Sequence, residues 1–160
     1  MKEIILNKGM VAIVDDEDYD RINKYKWYVC KNKSGNVSAK RNYFYNGKNH
    51  GVYMHREIVN ATDPNIPVDH INHNRLDNRK ENLRICTQLQ NAANKKIYTN
   101  NKTGYKGCTL NKITGKYLAG IRVNNKQIWL GTYETAKEAA LIYNKAASFY
   151  FGEFALLNEI

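Results

Sequence analysis

The stretch VDHINHNRLDNRKENLRICTQLQNAAN, at residues 68–94, decides how the rest of the chain is interpreted. Two short runs of strand-forming residues flank a loop that is dense in Asn and Arg. Thr87 and Gln90 have the spacing of a capping box, in which each side chain satisfies an orphan backbone donor. We therefore predict four successive elements: a strand at 67–71, a polar loop at 72–82, a second strand at 83–86 and a helix opening at Thr87.

Three polar side chains of this stretch are expected to converge. Asn91 falls near the first turn of the predicted helix, where it can face the Asp69-His70 pair that ends the first strand. Oxygen ligands from Asp69 and Asn91 suit a hard divalent cation, such as Mg²⁺, that keeps water in most of its shell. His70, with an ordinary pKa of about 6.5, can take a proton from an attacking water. The set suits hydrolysis of a phosphodiester.

Two other interpretations of these residues are open. Asn and Asp often bond their own backbone, so the pair can be simple turn chemistry. Neighbouring residues of a regular strand also point to opposite faces, so Asp69 and His70 share a site only where the strand end is irregular or where the phosphate lies across the strand edge. A zinc site built from His55, His70 and His73 is the second alternative, but no Cys pair at ligand spacing accompanies them.

This stretch resembles the HNH family of nucleases, which have the ββα-metal fold. The resemblance implies that His70 is the general base and that Asp69, just before it, is a metal ligand. Asn82 matches the middle asparagine, which braces the loop through backbone hydrogen bonds, and Asn91 matches the third position, a metal ligand on the helix. Asn at that third position, rather than His, is similar to the phage homing endonucleases, and Asn72 stands where many relatives carry Asp. The implied cofactor is one divalent cation, Mg²⁺ or Mn²⁺.

Composition limits the partners that the chain can have. Its 160 residues suffice for one ordinary domain or two small ones, and 25 Lys and Arg against 15 Asp and Glu give a net charge of +10. That excess favours a polyanionic partner. No apolar run reaches the roughly 18 residues that span a bilayer, and the N-terminus lacks a signal-peptide pattern. We expect no membrane partner, an intracellular protein, and free thiols at Cys30, Cys86 and Cys108.

The region before the central stretch has mostly strand signals, from residue 3 to residue 59. An acidic segment at 15–25 predicts one or two helical turns, and a turn is predicted at 34–36. Asn46-Gly47 between β-rich runs predicts a hairpin. His55 and Arg56 follow it; they either reach a phosphate beside the site or are a partly buried histidine and a solvated arginine. The region is interpreted as a β scaffold for the central stretch.

The region after the central stretch changes character. Residues 95–133 contain eight basic side chains and no acidic one. Three strands are predicted, at 107–110, 116–123 and 126–133, with Asn124-Asn125 as a two-residue turn. Thr135 and Glu138 form a second capping box, which opens a helix that ends near Phe151, before Gly152. The alternation of the strands places apolar residues towards this helix. The opposite face carries Lys116, Arg122, Gln127 and an exposed Trp129, which suits a major groove.

Several motifs of this region resemble the AP2 DNA-binding domain: YKG at 105–107, GKYLAGIR at 115–122, WLGTY at 129–133 and TAKEAA at 135–140. In that family the three-stranded sheet lies in the major groove. The resemblance implies DNA contacts from Lys106, Arg122, Gln127, Trp129 and Thr132, beside Lys116 from the strand pattern. Because Lys106 and Gln127 replace common arginines and Gly120 replaces a glutamate, the target of plant members does not transfer.

Together these patterns predict an α+β chain in three parts: an HNH nuclease domain at 1–96, a basic linker at 97–102 and an AP2-like domain at 103–160. The predicted function is site-specific cleavage of double-stranded DNA by a monomer or a DNA-induced dimer, similar to phage homing endonucleases. The expected location is the cytoplasm of a bacterial host. A non-enzymatic DNA-binding regulator is the chief alternative, and an RNA-directed nuclease is another.

Overall fold

The chain forms two compact units, Met1–Thr87 and Gln88–Ile160. The computed structural model describes residues 1–33 and 35–160. Ser34, which belongs to the turn predicted at 34–36, lies outside the described residues. Both units combine helices with small antiparallel sheets, which confirms the α+β class. The units are defined by packing, and the functional division at 96 and 103 stays a prediction.

Among its described residues, the first unit contains three small antiparallel sheets and two short helices. Its elements are β1 (Lys2–Ile5), β2 (Val11–Val14), α1 (Asp16–Asn23), β3 (Tyr28–Lys31), β4 (Val37–Tyr45), β5 (Lys48–Tyr53), α2 (Met54–Ile58), β6 (Val68–His70) and β7 (Leu83–Ile85). Short 3-10 helices lie at Asn7–Gly9 and Lys80–Asn82. Strands β6 and β7 lie within the two ranges predicted around the central loop. The core is built from Ile4, Val14, Ile22, Trp27, Met54 and Ile58, among others.

Helix α2 is a difference from the sequence analysis, which expected strands as far as residue 59. The cause is the spacing of Met54 and Ile58, four residues apart, which places both side chains on one helical face. Both are buried in the core of the first unit. The helix therefore begins directly after β5 and carries His55 in its first turn.

The β4–β5 hairpin is confirmed, with Asn46-Gly47 at its turn. Both residues have positive φ, 49° and 71°, which is the type I′ geometry that matches the twist of the two strands. Strand β3 pairs with β4 only as far as Lys40, whereas β4 and β5 stay paired out to Tyr45 and Lys48. Beyond Lys40 the hairpin is therefore a two-stranded ribbon.

The second unit contains one three-stranded sheet, in the order β10-β9-β8, and two helices. Its elements are α3 (Gln88–Ala93), β8 (Cys108–Leu110), β9 (Tyr117–Val123), β10 (Lys126–Tyr133) and α4 (Ala136–Phe151). Asn124 and Asn125 have positive φ, 48° and 62°, as the predicted two-residue turn requires. The second capping box is present, with Thr135 accepting from the Glu138 backbone and the Glu138 carboxylate accepting from Thr135 N. Helix α3 begins at Gln88, directly after the predicted cap at Thr87.

The core of the second unit lies between the sheet and α4. The helix buries a stripe of small and aromatic side chains: Ala139, Ala140, Tyr143, Ala147 and Phe151. Gly107 sits against this stripe with φ 69°, and a Cβ there would lie 1.8 Å from Cδ2 of Tyr143. Only glycine fits that backbone position.

Two further expectations concern the chain as a whole. No helix among residues 1–33 and 35–160 combines the length and the apolar character needed to cross a bilayer. Cys30, Cys86 and Cys108 are free thiols, as predicted from their number and spacing.

Candidate functional site

The end of β6 carries the Asp69-His70 pair. Both side chains are buried, with 8% and 6% of their surface exposed. The Ile71 amide still donates to the Asn82 carbonyl at 2.9 Å, which continues the β6–β7 ladder by one pair, and the chain then turns because the His73 amide donates back to the His70 carbonyl at 3.0 Å. His73 itself adopts a positive φ of 63°. The chain therefore leaves the strand directly after His70, and whether Asp69 and His70 share a site stays a prediction.

Asn82 closes the loop between β6 and β7. Its Oδ1 accepts from the Asn72 backbone at 2.9 Å, and its Nδ2 donates to the Asp77 carbonyl at 2.7 Å. Arg79 donates to both carboxylate oxygens of Asp77 at 2.8 Å, and these bonds lower the pKa of Asp77. The loop is consequently tied at both ends by buried polar groups.

His70 is oriented by Asn78, a residue that the sequence analysis did not single out. The His70 Nε2 lies 3.3 Å from Asn78 Oδ1. The Asn78 amide is 1% exposed, and its Nδ2 donates to the Leu76 carbonyl at 3.2 Å and to the Met54 sulfur at 3.5 Å. The amide thus presents an oxygen to His70, so a neutral ring bonded to it carries its proton on Nε2 and its lone pair on Nδ1. Burial lowers the pKa of His70 and favours this neutral form.

His55 packs edge-on against the ring of His70. The ring centroids are 5.0 Å apart at 75°, and Tyr53 stacks on His55 at 5.5 Å and 24°. The Nδ1 of His55 is buried and has no hydrogen-bond partner among the described residues. Burial, reinforced by the neighbouring His70, lowers the pKa of His55 to about 3. His55 is therefore a neutral packing partner of His70 at physiological pH.

Arg56, beside it, has a different function in the fold. Its guanidinium donates to the Ile66 carbonyl at 2.8 Å, to the Ala61 carbonyl at 3.0 Å and to the Asp63 carbonyl. The side chain thereby holds the loop that leads from α2 to β6. Of the two options that the sequence left for this residue, neither the phosphate contact nor simple solvation describes these bonds.

Asp69 is paired with Arg84 across the β6–β7 ladder. Nε and Nη2 of Arg84 lie 3.1 Å and 2.9 Å from Asp69 Oδ2. The two residues are direct partners in the strand register, and both side chains are largely buried. This charge-assisted pair fixes the carboxylate beside His70.

The donor set decides which kind of metal ion the proposed ligands fit. Asp69 offers carboxylate oxygens at the end of β6, and Asn91, half-buried on α3 in the second unit, offers an amide oxygen. Such hard oxygen donors fit Mg²⁺ or Mn²⁺. Within the described part of the chain, no group of three or more His, Cys, Asp or Glu side chains could hold a metal ion. The zinc alternative of His55, His70 and His73 therefore has no structural support.

The exposed face of the β8–β9–β10 sheet carries most of the predicted recognition residues. Arg122 pairs with Gln127 and Gly120 with Trp129 in the strand register, and Trp129 is 65% exposed. A Cβ on Gly120 would lie 2.5 Å from Gln127 Nε2 and 3.1 Å from Trp129 Cε3. Because Gly120 has no side chain, Gln127 and Trp129 lie across it and border a shallow groove of about 310 Å³.

Two more predicted residues lie at this face. Thr132 is exposed and pairs with Leu118, which lines the groove. Lys116 is exposed at the start of β9, where its ammonium lies 2.6 Å from Glu134 Oε1. Lys116, Arg122, Gln127, Trp129 and Thr132 are therefore available on one unit for contact with a ligand.

Lys106 is placed differently from the other predicted contacts. Its Nζ donates to the Ala93 carbonyl at 2.7 Å and to the Leu156 carbonyl at 3.2 Å. Burial lowers its pKa to about 8. The ammonium thus joins α3 to the C-terminal segment, a function that no local sequence signal indicated.

Comparison with known proteins shows that the chain is similar to two different groups of proteins. The sequence pattern described as HNH endonuclease matches residues 52–93. An uncharacterized HNH endonuclease of Acanthamoeba polyphaga mimivirus is 34% identical over 160 residues, which cover 96% of this chain and 77% of the relative. In a C-terminal portion the chain is similar to plant proteins. Ethylene-responsive transcription factor 1 of Solanum lycopersicum is 55% identical over 47 residues (28% of this chain, 19% of the relative). Dehydration-responsive element-binding protein 2E of Arabidopsis thaliana is 42% identical over 57 residues (29% of this chain, 23% of the relative).

Proposed function

Because the chain belongs to the HNH endonuclease family, we propose that it is a site-specific DNA endonuclease whose general base is His70. The observation that carries this proposal is the setting of His70: a buried, neutral imidazole that Asn78 holds at the end of β6, next to the Asp69 carboxylate. A neutral imidazole is the form that can accept a proton.

Each side chain of the proposed active site has its own function in hydrolysis. His70 accepts the proton of the attacking water at Nδ1, and Asn78 keeps the opposite nitrogen protonated. Asp69 and Asn91 would hold one divalent cation, Mg²⁺ or Mn²⁺. When bound, such an ion supplies positive charge that offsets the charge developing on the phosphate. Arg84 holds the Asp69 carboxylate in place, and Asn82 keeps the loop closed.

In this proposal the second unit recognises the target sequence on DNA. Arg122 can read guanine and Gln127 adenine in a major groove, and Trp129 offers a planar apolar surface. Lys116 and Thr132 contact phosphates at the margin of the same face. Lys106, which the resemblance also implies as a DNA contact, is assigned to internal support because its ammonium is bonded to two carbonyls. The basic segment at 97–102 is the proposed linker along the phosphates.

The biological setting is a finer part of the proposal. Asn at position 91, where other relatives have His, favours a phage-type homing endonuclease, and the mimivirus relative supports a viral context. A monomer, or a dimer formed on DNA, fits a chain that has one proposed active site and one recognition sheet.

Supercoiled plasmid DNA carrying phage and host sequences tests the function. The purified chain is incubated with Mg²⁺ or Mn²⁺, with EDTA as the metal-free control. We expect relaxed circles if one strand is cut and linear product if both are cut. His70→Ala should abolish cutting and retain DNA binding, whereas the matched variant His73→Ala should still cut. Undiminished cutting by His70→Ala would exclude the proposed base. Tight binding without any cutting by the wild-type chain would favour the non-enzymatic regulator.

A further inference from the structure

The end of the β4–β5 hairpin is an exposed surface to which the proposed function assigns nothing. We define the aromatic ribbon as residues 41–52, the part of the hairpin beyond the last pairing with β3. The core of the first unit draws on Val37 and Ala39 of β4 and on Met54 after β5, and on no described residue between 40 and 53. The ribbon is therefore not needed to complete that core.

Large aromatic side chains cover the ribbon although they are not buried. Tyr43, Phe44 and Tyr45 have exposed fractions of 42%, 74% and 61%. These aromatic side chains lie on both faces of the ribbon, and a cluster of exposed apolar groups on an otherwise polar surface usually marks a binding site. The chemical question is which partner such a patch fits.

Charge identifies a polyanion as the partner. Residues 37–56 contain four basic side chains, Lys40, Arg41, Lys48 and Arg56, and no acidic one. Arg41 pairs with Glu57, and Arg56 bonds to backbone carbonyls, so the positive charge available to a partner comes from Lys48 on the ribbon and from Lys40 directly before it.

The two faces of the ribbon differ in chemistry. On one face the register pairs Tyr43 with His50 and Tyr45 with Lys48, and the Tyr43 and His50 rings stack on each other at 5.3 Å. Those rings already have each other as partners. The opposite face pairs Asn42 with Gly51 and Phe44 with Asn49.

The face of the ribbon that carries Asn42, Phe44 and Asn49 has side chains that can recognise base edges. Asn side chains can make two hydrogen bonds to adenine, and Phe can contact the thymine methyl group in the major groove. Lys40 lies on the same face: a Cβ on Gly51 would be 2.3 Å from Lys40 Cε. Gly51 therefore leaves room for a lysine stem beside Asn42. Asn42, Phe44, Asn49 and Lys40 combine A·T-reading groups with one phosphate-binding cation.

The dimensions of the ribbon also fit. Two paired strands lie about 4.8 Å apart, and a major groove about 12 Å wide admits a two-stranded β-ribbon. The type I′ turn at Asn46-Gly47 gives the ribbon the right-handed twist of a regular hairpin.

We propose that the aromatic ribbon is a second DNA-reading element, which enters the major groove and contacts A·T base pairs through Asn42, Phe44 and Asn49. The proposal rests on the proposed function in one respect, namely that duplex DNA is the substrate. It adds a recognition surface on the nuclease unit to the one expected on the AP2-like sheet. The chain would then select its site at two separate segments of DNA.

The experiment measures binding by the whole 160-residue chain in EDTA, so that no DNA is cut. The probe is the duplex that the wild-type chain selects from a randomised library. Phe44→Ala and Asn49→Ala should each weaken binding by about 5- to 100-fold, the range for loss of one good base contact. Phe149→Ala is the matched control, because Phe149 is equally apolar and 83% exposed on α4. It should stay within about twofold of wild type, as expected for a surface substitution.

A second measurement tests the thymine contact directly. Replacing individual thymines of the selected duplex by uracil removes only the C5 methyl group. At one position this change should weaken binding of the wild-type chain and have no further effect on Phe44→Ala. The proposal is overturned if Phe44→Ala and Asn49→Ala bind like Phe149→Ala, or if these variants alter only self-association of the chain. If ribbon variants lose affinity but the wild-type chain cuts no DNA in Mg²⁺, the ribbon proposal stands and the nuclease proposal falls.

Discussion

At the scale of single residues, the arrangement around His70 shows what a sequence pattern can and cannot reveal. The motif residues Asp69, His70, Asn82 and Asn91 can be selected from spacing and family resemblance. Asn78 cannot, because its importance depends on two distant contacts: its backbone amide bonds to the Ile13 carbonyl at 2.7 Å, and its side chain contacts the Met54 sulfur. In sequence it is one asparagine among many in a polar loop.

Replacing Asn78 should disturb the orientation of the general base, His70, without affecting DNA binding. Asn78→Leu keeps the side-chain volume but removes the oxygen that holds His70 Nε2. We expect the cleavage rate to fall by about 10- to 100-fold, as for other residues that orient a ligand or base from behind. DNA affinity should change little. The ¹⁵N chemical shifts of the His70 ring should show Nε2 protonated in the wild-type chain and a mixture of tautomers in the variant.

Asn74→Leu is the control for this substitution, since it alters an exposed amide of the same loop that bonds to Leu76 N. Its cleavage rate should stay near that of the wild-type chain. If His70 of the wild-type chain carries its proton on Nδ1, that nitrogen cannot be the atom that accepts the proton from water.

His55 should make the fold sensitive to acid. The unfolded chain protonates this histidine below about pH 6.5, whereas the folded chain does so only near its lowered pKa of about 3. Between these values the unfolded state binds more protons, so the free energy of unfolding falls as the pH falls. His55→Phe, which keeps a ring between Tyr53 and His70, should flatten this dependence. Urea denaturation at pH 7 and pH 4.5 measures the slope.

The lowered pKa of His70 acts in the same direction, so some pH dependence should remain in His55→Phe. His70→Ala tests that remainder. Parallel stability curves for His55→Phe and the wild-type chain would show that the buried imidazole does not resist protonation.

At the scale of elements, the turns and caps are the best-predicted features. Asn46-Gly47, Asn124-Asn125 and the Thr135–Glu138 capping box each act within a few residues, so the local sequence determines them. Helix α2 was missed for the opposite reason. Its five residues, Met54–Ile58, form a helix because two of them pack into the core of the first unit. Short elements of this kind depend on tertiary contacts.

A pair of glycines separates backbone strain from steric clash at the α4 packing surface. Gly107 and Gly115 have nearly equal φ values, 69° and 72°, but a Cβ meets Tyr143 only at Gly107. In both alanine variants the free energy of unfolding should fall by about 1 kcal/mol, because alanine disfavours the left-handed backbone conformation. Gly107→Ala should lose about 1 to 3 kcal/mol more, the typical cost of overpacking. Chemical denaturation gives both values, and equal losses would mean that Tyr143 moves aside without cost.

At the scale of the whole molecule, the net charge of +10 sets general affinity for DNA, and specificity depends on a few side chains. Arg122→Ala should weaken binding to the preferred duplex by about 1 to 3 kcal/mol and relax base preference at one position. Lys145→Ala, which removes an exposed cation from α4, is the control. It should slightly weaken binding to all sequences alike. Competition between specific and random duplexes distinguishes the two, and an unchanged preference in Arg122→Ala would remove that residue from the recognition set.

The placement of α3 has a consequence for module exchange. Ala93 is buried in the core that Tyr143 and Phe151 form, and its carbonyl accepts from both Lys106 Nζ and the Leu156 amide. A chimera joined at residue 96 would leave Ala93 behind, open that core and remove one of the two carbonyls that bind the Lys106 ammonium. A joint before Gln88 keeps the packing intact. Recombination between such nucleases, in the laboratory or in nature, would therefore transfer Asn91 together with the recognition sheet. A change of DNA sequence specificity would then also exchange one proposed metal ligand.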